Sequence, residues 1–224
     1  MSDVSTFRTI VNSLLKGDEV LDNDDKDRNI QRAVEEYQRR RPLRKTVQLT
    51  GDGTRFFSVP SDWKEGFSFV PKEFVEYPLG EQPSTYIDEN YVRLKNTPSG
   101  IQFEFTEGTY PANGDNFYFT YYTIHTVGAS SSTVYAQDER AVATLAASYC
   151  CESLAAYYGK TMDSTIAADA VAYRDKAARY LELSEDYKED FEEAVPDTGD
   201  TEMGDHDVTT SIGTQTMFHE RYRR

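Results

Sequence analysis

The sequence has little cysteine, little basic charge and no long apolar run, and each shortage excludes a class of protein. Its two cysteines, Cys150 and Cys151, are adjacent, which gives neither a disulfide framework nor the spacing of a zinc site. No apolar stretch approaches the roughly 20 residues of a membrane span. Residues 1–4 lack the basic and apolar regions that begin a signal peptide. We therefore expect a protein made in a reducing cytoplasm, with no membrane among its partners.

The charge balance is strongly acidic. The 224 residues include 39 aspartates and glutamates and 24 lysines and arginines, for a net charge of −15. A protein that binds free duplex DNA needs a basic face to displace counterions from the phosphates, and this chain has few residues to build one. Acidity instead confers solubility and repels nucleic acid. Aromatic residues make up 13% of the chain, which suits either a core or an interface.

Residue patterns that carry catalysis or hold metals are also scarce. The cysteine pair falls in an alanine-rich helical segment, where small core residues are expected. Residues 22–27 have the composition of a calcium loop but lack its central glycine and terminal glutamate, so they indicate a helix cap instead. No glycine-rich phosphate loop precedes a helix. The histidines are His125, on a predicted strand, and His206 and His219, in a polar C-terminal stretch. We expect no catalytic residues, no metal site and no cofactor.

Two segments near the N-terminus have the apolar spacing of amphipathic helices. The first is expected to begin at a Ser5 cap and to end before Gly17. The second follows the acidic residues 22–25, which can cap it, and stops at Pro42. The apolar stripes are Phe7, Ile10, Val11, Leu14 and Leu15 in the first helix and Ile30, Ala33, Val34 and Tyr37 in the second.

The middle of the chain changes from helical spacing to alternation. Apolar residues alternate on both sides of the turn at residues 50–53, which predicts a β-hairpin joining Val47 and Leu49 to Phe57 and Val59. Further strands are expected at residues 91–94, 101–105 and 117–124, with glycine or proline at the junctions. These strands predict an antiparallel β-domain inserted between helices.

Two longer helices follow. The third is predicted at residues 138–158, ending at Gly159, and the fourth from residue 164 or 165 to about residue 194. Their apolar rows are Val142, Leu145, Ala146, Tyr149, Leu154 and Tyr157 in the third and Ala170, Tyr173, Ala177, Tyr180, Ser184, Tyr187 and Phe191 in the fourth.

These elements define the predicted fold class, which is α+β. Residues 1–44 and 130–195 form a helical bundle of two N-terminal and two long C-terminal helices. Residues 45–129 form the inserted antiparallel β-domain. Residues 196–224 are polar and aperiodic for most of their length, which indicates an extended, flexible C-terminal arm.

Charge is concentrated at two places in the predicted bundle. The end of the fourth helix is acidic although cations suit a helix C-terminus, so either solvation or a function selects these residues. The second helix ends in Arg39, Arg40 and Arg41, more cations than the helix dipole needs. These arginines could meet an acidic patch on a neighbouring copy, such as the end of the fourth helix. The acids are Glu182, Glu185, Asp186, Glu189, Asp190, Glu192 and Glu193.

The order of the elements is the most informative feature. The second helix contains Ile30-Gln31-Arg32-Ala33-Val34-Glu35-Glu36-Tyr37 and ends in Arg39-Arg40-Arg41-Pro42. The insertion contains Phe57-Ser58-Val59-Pro60-Ser61-Asp62-Trp63, and the fourth helix contains Ala177-Ala178-Arg179-Tyr180. Over roughly residues 5–195 this layout resembles the head–tail connector adaptor (head completion) proteins of tailed bacteriophages.

The resemblance implies a non-enzymatic structural subunit of the virion neck, made in the host cytoplasm. Copies of the chain would form a homo-oligomeric ring, commonly twelvefold, under the portal protein. The ring would join capsid to tail, receive the stopper or tail proteins on its lower face, and let double-stranded DNA pass through without specific binding.

Roles for particular residues follow from that expectation. Subunit-interface candidates are Arg39, Arg40, Arg41, Glu185 and Glu189. Candidates for the channel lining, where negative charge would keep DNA from sticking, are Glu182, Asp186, Asp190 and Glu193. The portal-binding arm would anchor through Phe218, Arg221, Tyr222, Arg223 and Arg224, with a ragged chain end as the alternative.

Other classes stay open on the sequence. A stopper or tail terminator would be β-rich with little helix. An acidic DNA-mimic or other binding protein would act without forming a ring. An enzyme would need a concave site with perturbed titratable groups, for which the sequence offers no candidate set.

Overall fold

A computed structural model describes residues 3–16, 20–98, 100–106, 108–160 and 167–197, with side chains described from Tyr173 onward in the last of these segments. These residues have an α+β fold, with four α-helices and two small antiparallel sheets. The described residues divide into two compact units, a helical unit of residues 3–42 and 125–197 and a β unit of residues 43–124. From the sequence we predicted these boundaries a few residues later, after residue 44 and after residue 129. The predicted arm, residues 196–224, lies outside the described residues apart from its first two.

The helical unit contains α1 (Val4–Leu14), α2 (Asn23–Arg40), α3 (Glu139–Lys160) and α4 (Ala167–Ala194). Its central element is α3, in which every residue from Ala141 to Cys151 is buried. The many alanines are small enough for α1, α2 and α4 to approach α3 from different sides. The predicted apolar row of α3 was wrong at Tyr157, which is 50% exposed, whereas the neighbouring Tyr158 is buried.

The helix caps differ in part from the sequence prediction. Asp3, not Ser5, caps α1, because its carboxylate accepts the Thr6 N–H at 2.9 Å and the Ser5 hydroxyl at 2.6 Å. These hydrogen bonds lower the pKa of Asp3 to about 2. Asp22 caps α2 as the acidic run predicted. The chain leaves α1 through Lys16, whose φ of 54° is left-handed; Gly17 lies outside the described residues.

The β unit contains β1 (Leu43–Thr50), β2 (Phe56–Ser58), β3 (Val75–Glu76), β4 (Val92–Thr97), β5 (Gly100–Phe105) and β6 (Asn116–Thr123). One sheet has the order β1-β6-β3 and the other has the order β2-β5-β4. Because β6 ends at Thr123, His125 follows the strand instead of lying on it, as had been predicted.

The predicted hairpin between β1 and β2 was wrong, because these strands belong to different sheets. β1 pairs with β6 from Leu43↔Thr123 to Thr50↔Asn116, and β2 pairs with β5. The reason lies at Gly51, whose N–H donates to the Asp115 carbonyl at 2.7 Å and whose carbonyl accepts from the Gly114 N–H at 2.9 Å. The glycine-rich turn therefore closes the end of the β1–β6 pair and passes the chain to the second sheet.

Aromatic rings fill the interior of the β unit. Phe103 and Phe119 face each other with their ring centroids 4.5 Å apart, and Trp63 meets Phe103 edge-on at 5.6 Å. Edge-to-face and tilted pairs of this kind add to the stabilisation from burial. The buried rings of this core are Phe57, Phe74, Phe103, Phe105, Phe117, Phe119 and Tyr121.

Candidate functional site

A buried polar cluster lies where α2 ends and α3 begins. The Asp138 carboxylate, 6% exposed, accepts two hydrogen bonds from Nη1 of Arg41, each 2.9 Å long. It also accepts the Tyr37 hydroxyl at 2.7 Å. Burial is the main cause of the raised pKa of Tyr37, and the hydrogen bond to the Asp138 carboxylate is the second. The phenol therefore keeps its proton. The cluster fastens the C-terminus of α2 to the N-terminus of α3.

His125 extends this cluster. Its Nε2 lies 2.9 Å from the Arg41 carbonyl and its Nδ1 lies 2.8 Å from the Thr133 carbonyl. The ring is 3% exposed and lies 5.0 Å from the Tyr37 ring, centroid to centroid. Burial lowers the pKa of His125, although the two carbonyls and Asp138 oppose that shift. The histidine therefore joins the segments that enter and leave the helical unit at residues 42 and 125.

The buried thiol of Cys150 is held in its protonated form. Burial raises its pKa to about 11, and the Asn29 side-chain amide donates to its sulfur at 3.4 Å. Both Cys150 and Cys151 are completely buried, as expected for small core residues. Among the described residues, no three side chains of histidine, cysteine, aspartate or glutamate are grouped to hold a metal ion.

The arginines at the end of α2 have three different environments. Arg40 donates to the Val195 carbonyl at 3.0 Å and lies 3.5 Å from Glu192, so it meets the end of α4 of its own chain. Arg41 is engaged by Asp138 as described above. Arg39 is 71% exposed and its ion pair is a local one with Glu36. The predicted attraction between this cluster and the acidic end of α4 therefore occurs within one chain at Arg40, and Arg39 is the arginine that faces solvent.

The acidic end of α4 forms an exposed surface. Apart from Glu192, which lies near Arg40, the six acids at this end of the helix are all exposed. None of the six makes an ion pair with another residue in the described part of the chain. At about 100° per residue, Glu185 and Glu189 lie on one flank of the helix, about 40° and 80° around its axis from Leu181, and the remaining four lie beside them at about 100–180°. We call these four the acidic face: Glu182, Asp186, Asp190 and Glu193. The predicted interface acids therefore border the predicted channel acids on one exposed surface of α4.

A cavity of about 320 Å³ lies on the opposite flank of α4, between α1, α3 and α4. Leu14 and Leu15, at the end of α1, and Leu183 and Tyr187, from α4, give it an apolar wall. Its cationic rim consists of Lys16, Lys176 and Arg179. Neither Lys16 nor Arg179 makes an ion pair with another described residue, while Lys176 lies 4.8 Å from the Tyr158 ring centroid.

Sequence reasoning missed the cavity because its rim combines residues from the two ends of the chain. It also missed the polar cluster, naming Asp138 only as a helix boundary. The position of Asp138 before an apolar helix was the available signal, since aspartate is common at helix starts. The predicted arm residues Phe218, Arg221, Tyr222, Arg223 and Arg224 lie outside the described residues.

Comparison with known protein families and curated proteins found no match. No model of a known protein family matches the sequence, and no curated protein matches it significantly. Among the described residues, no helix has the length and apolar character needed to cross a membrane.

Proposed function

We propose that this chain is a structural subunit of a bacteriophage neck, an adaptor that assembles as a homo-oligomeric ring, commonly of twelve copies, between the portal protein and the stopper or tail. The proposal rests on the layout of the helices and on one observation above all, the acidic face of α4. That face carries four exposed carboxylates with no cation of the described chain paired to them.

An unpaired acidic face has a cost within a single chain. Like charges repel along the helix, and they lie at the end where the helix dipole favours cations. Arg40 offsets the dipole at the Val195 carbonyl but pairs with Glu192, outside the acidic face. A role outside the single subunit accounts for the retained charge. In a ring whose channel carries DNA, carboxylates on the lumen repel phosphates, so the genome slides without binding.

The helix content supports an adaptor over a stopper or tail terminator, for which we expected strands and little helix. The four helices contain more residues than the six strands. The two N-terminal and two C-terminal helices pack around a common core. We propose no catalytic step, because the buried titratable groups described above are engaged in contacts that hold the helices together.

The proposal is tested by electron microscopy of the full chain mixed with the portal protein of the same phage. We expect rings on the portal with the acidic face towards the channel. Neutralising it with E182Q, D186N and D190N should preserve rings but slow DNA passage in reconstituted particles. The matched control removes the same charge from the β unit with E65Q, E73Q and E81Q and should leave passage unchanged. A chain that stays monomeric and binds no portal would contradict the proposal and favour an acidic DNA mimic.

The arm is tested separately. We propose that residues 198–224 contact the portal through the aromatic and arginine residues at the chain end. A chain truncated after Asp197 retains every described residue, including Val195, whose carbonyl Arg40 contacts, and should lose affinity for the portal. Full-length F218A/Y222A serves as the finer variant. Undiminished portal binding by both would exclude the arm as the anchor.

A further inference from the structure

We propose that neighbouring copies join head to tail through α4, with Leu181, Glu185 and Glu189 of one copy entering the cavity rimmed by Lys16, Lys176 and Arg179 of the next. We call the first three residues the acidic knob. This inference deepens the proposed ring by naming its subunit contact. It also replaces Arg40 and Arg41 as interface candidates, because both are engaged within their own chain.

The charges of the two surfaces are complementary. The knob acids are exposed and have no ion-pair partner among the described residues, and the same is true of Lys16 and Arg179 on the cavity rim. In a chain of net charge −15, three cations group around one cavity, as three arginines do at the end of α2. Such opposed patches steer association and fix register.

The apolar parts also match. Leu181 is 53% exposed, more than any other large apolar side chain among the described residues. The cavity, about 320 Å³ with an apolar wall, is about twice the size of a ~150 Å³ hollow that accepts one benzene-sized group. A leucine followed by carboxylates about one and two turns further along α4 would fit inside the cavity while its acids reach the cationic rim.

The positions around α4 give the contact its direction. Counting roughly 100° per residue, the α4 residues of the cavity lie about 100–160° from Leu181 around the helix axis. A knob and a cavity on different flanks cannot satisfy each other in a two-fold dimer of α4 helices. They form a heterologous contact, which generates a ring when the rotation closes. The acidic face lies between the two flanks, so every copy would turn it to the same side of the ring.

The backbone conformation of Lys16 is a second observation that bears on the proposed contact. A lysine with φ of 54° occupies the left-handed position after α1, where glycine is usual because it avoids the steric penalty. The lysine at this position is one of the cations on the cavity rim. The variant K16G should therefore fold at least as stably as the natural chain and yet self-associate more weakly.

Charge reversal of the full-length chain tests the contact, by mass photometry and sedimentation with and without the portal. E185K/E189K and K176E/R179E should each weaken self-association by at least about tenfold. Combining all four changes in one chain should restore it. D186K/E193K is the matched control, with the same charge change on the acidic face further from the knob, and should assemble. A folded quadruple variant that stays dissociated would overturn the inference.

Disulfide trapping gives a second readout. Mixing L181C with K16C should yield a cross-linked pair, while L181C alone should not; the natural cysteines are fully buried. Cross-linking of L181C to itself would show a two-fold α4 contact and overturn the head-to-tail arrangement. Wild-type rings that persist in K176E/R179E would refute this contact alone. Absence of any wild-type assembly, even on the portal, would refute the proposed function as well.

Discussion

The helical unit and the β unit form their cores from different side chains. The helical core mixes alanine and aliphatic residues with tyrosines, and it encloses hydrogen-bonded polar groups such as Asp138 and the Ser148–Ser184 pair. The β core is a cluster of aromatic rings in direct contact. The two units are therefore stabilised by different kinds of contact. Aromatic burial dominates the β core, where Tyr121 also donates its hydroxyl to Asp62, whereas the partly buried Arg41–Asp138 ion pair and the cavity beside α4 belong to the helical unit.

The largest effect should come from removing a central ring of the β unit. F119A deletes a side chain that contacts Phe74, Phe103 and Tyr121, and should cost about 3–5 kcal/mol of unfolding free energy. Trp63, the single tryptophan, reports on the β unit by fluorescence, and circular dichroism at 222 nm reports mainly on the helices. We expect the fluorescence transition to move to lower denaturant than the helical one.

The control for this comparison lies on the same strand. Tyr118 is 39% exposed, so Y118A should change stability far less than F119A. If both signals shift together in F119A, the two cores unfold as one cooperative unit and the contrast between them does not extend to stability.

A smaller loss is expected from the polar cluster of the helical unit. D138A leaves Arg41 and the Tyr37 hydroxyl without their acceptor, which should cost roughly 1.5–3 kcal/mol. The helical signal should now shift first, the reverse of F119A. D138N, which keeps an oxygen acceptor, should be intermediate. Equal stability of D138A and the natural chain would show that the cluster is not a structural fastening.

The next effect depends on pH and on His125. Burial lowers the pKa of His125 in the folded state below that of the unfolded chain, so the unfolded chain binds more protons in the window below about pH 6.5. Stability should therefore fall as the pH is lowered through that window, by about 1.4 kcal/mol for each unit of pKa depression. H125Q should flatten the dependence measured by urea unfolding. H206Q/H219Q is the control and should leave it unchanged.

The smallest effect concerns the α1 cap. D3A removes the acceptor of the Thr6 N–H and should lower the melting temperature slightly, while D3N, which can still cap, should lower it less. The pKa of Asp3 is lowered to about 2 in the folded chain. Its contribution to stability is therefore full above about pH 4 and is lost as the pH falls towards 2. S5A should matter less than D3A. The opposite ranking would make Ser5 the cap after all.

The sequence predicted the fold class and the helices well because both follow from local spacing. The Phe7 and Ile30 stripes bury one side of a helix, as a 3.6-residue period requires. The hairpin prediction failed because a turn at Gly51 fixes only the local bend. Which strand pairs with β1 depends on a loop more than sixty residues away, through the Gly51–Asp115 hydrogen bond.

The surface residues were predictable as charge but not as geometry. Helical phase alone separates Glu185 from Glu182, and the structure bears out that both are exposed. Nothing in the spacing of Arg39, Arg40 and Arg41 shows that Arg40 meets the end of α4 within its own chain. That contact, like the rim formed by Lys16 and Arg179, joins segments about 160 residues apart, for which local patterns carry no signal.

The pairing of β1 with β6 has a consequence for how this chain can vary. Leu43 and Thr123 face each other at the first rung, so the excursion of about eighty residues leaves and returns at points only ~5 Å apart. A segment with adjoining ends can be lengthened, exchanged or cut out without moving its attachment points. A short linker from Pro42 to His125 should therefore give a four-helix protein that folds alone.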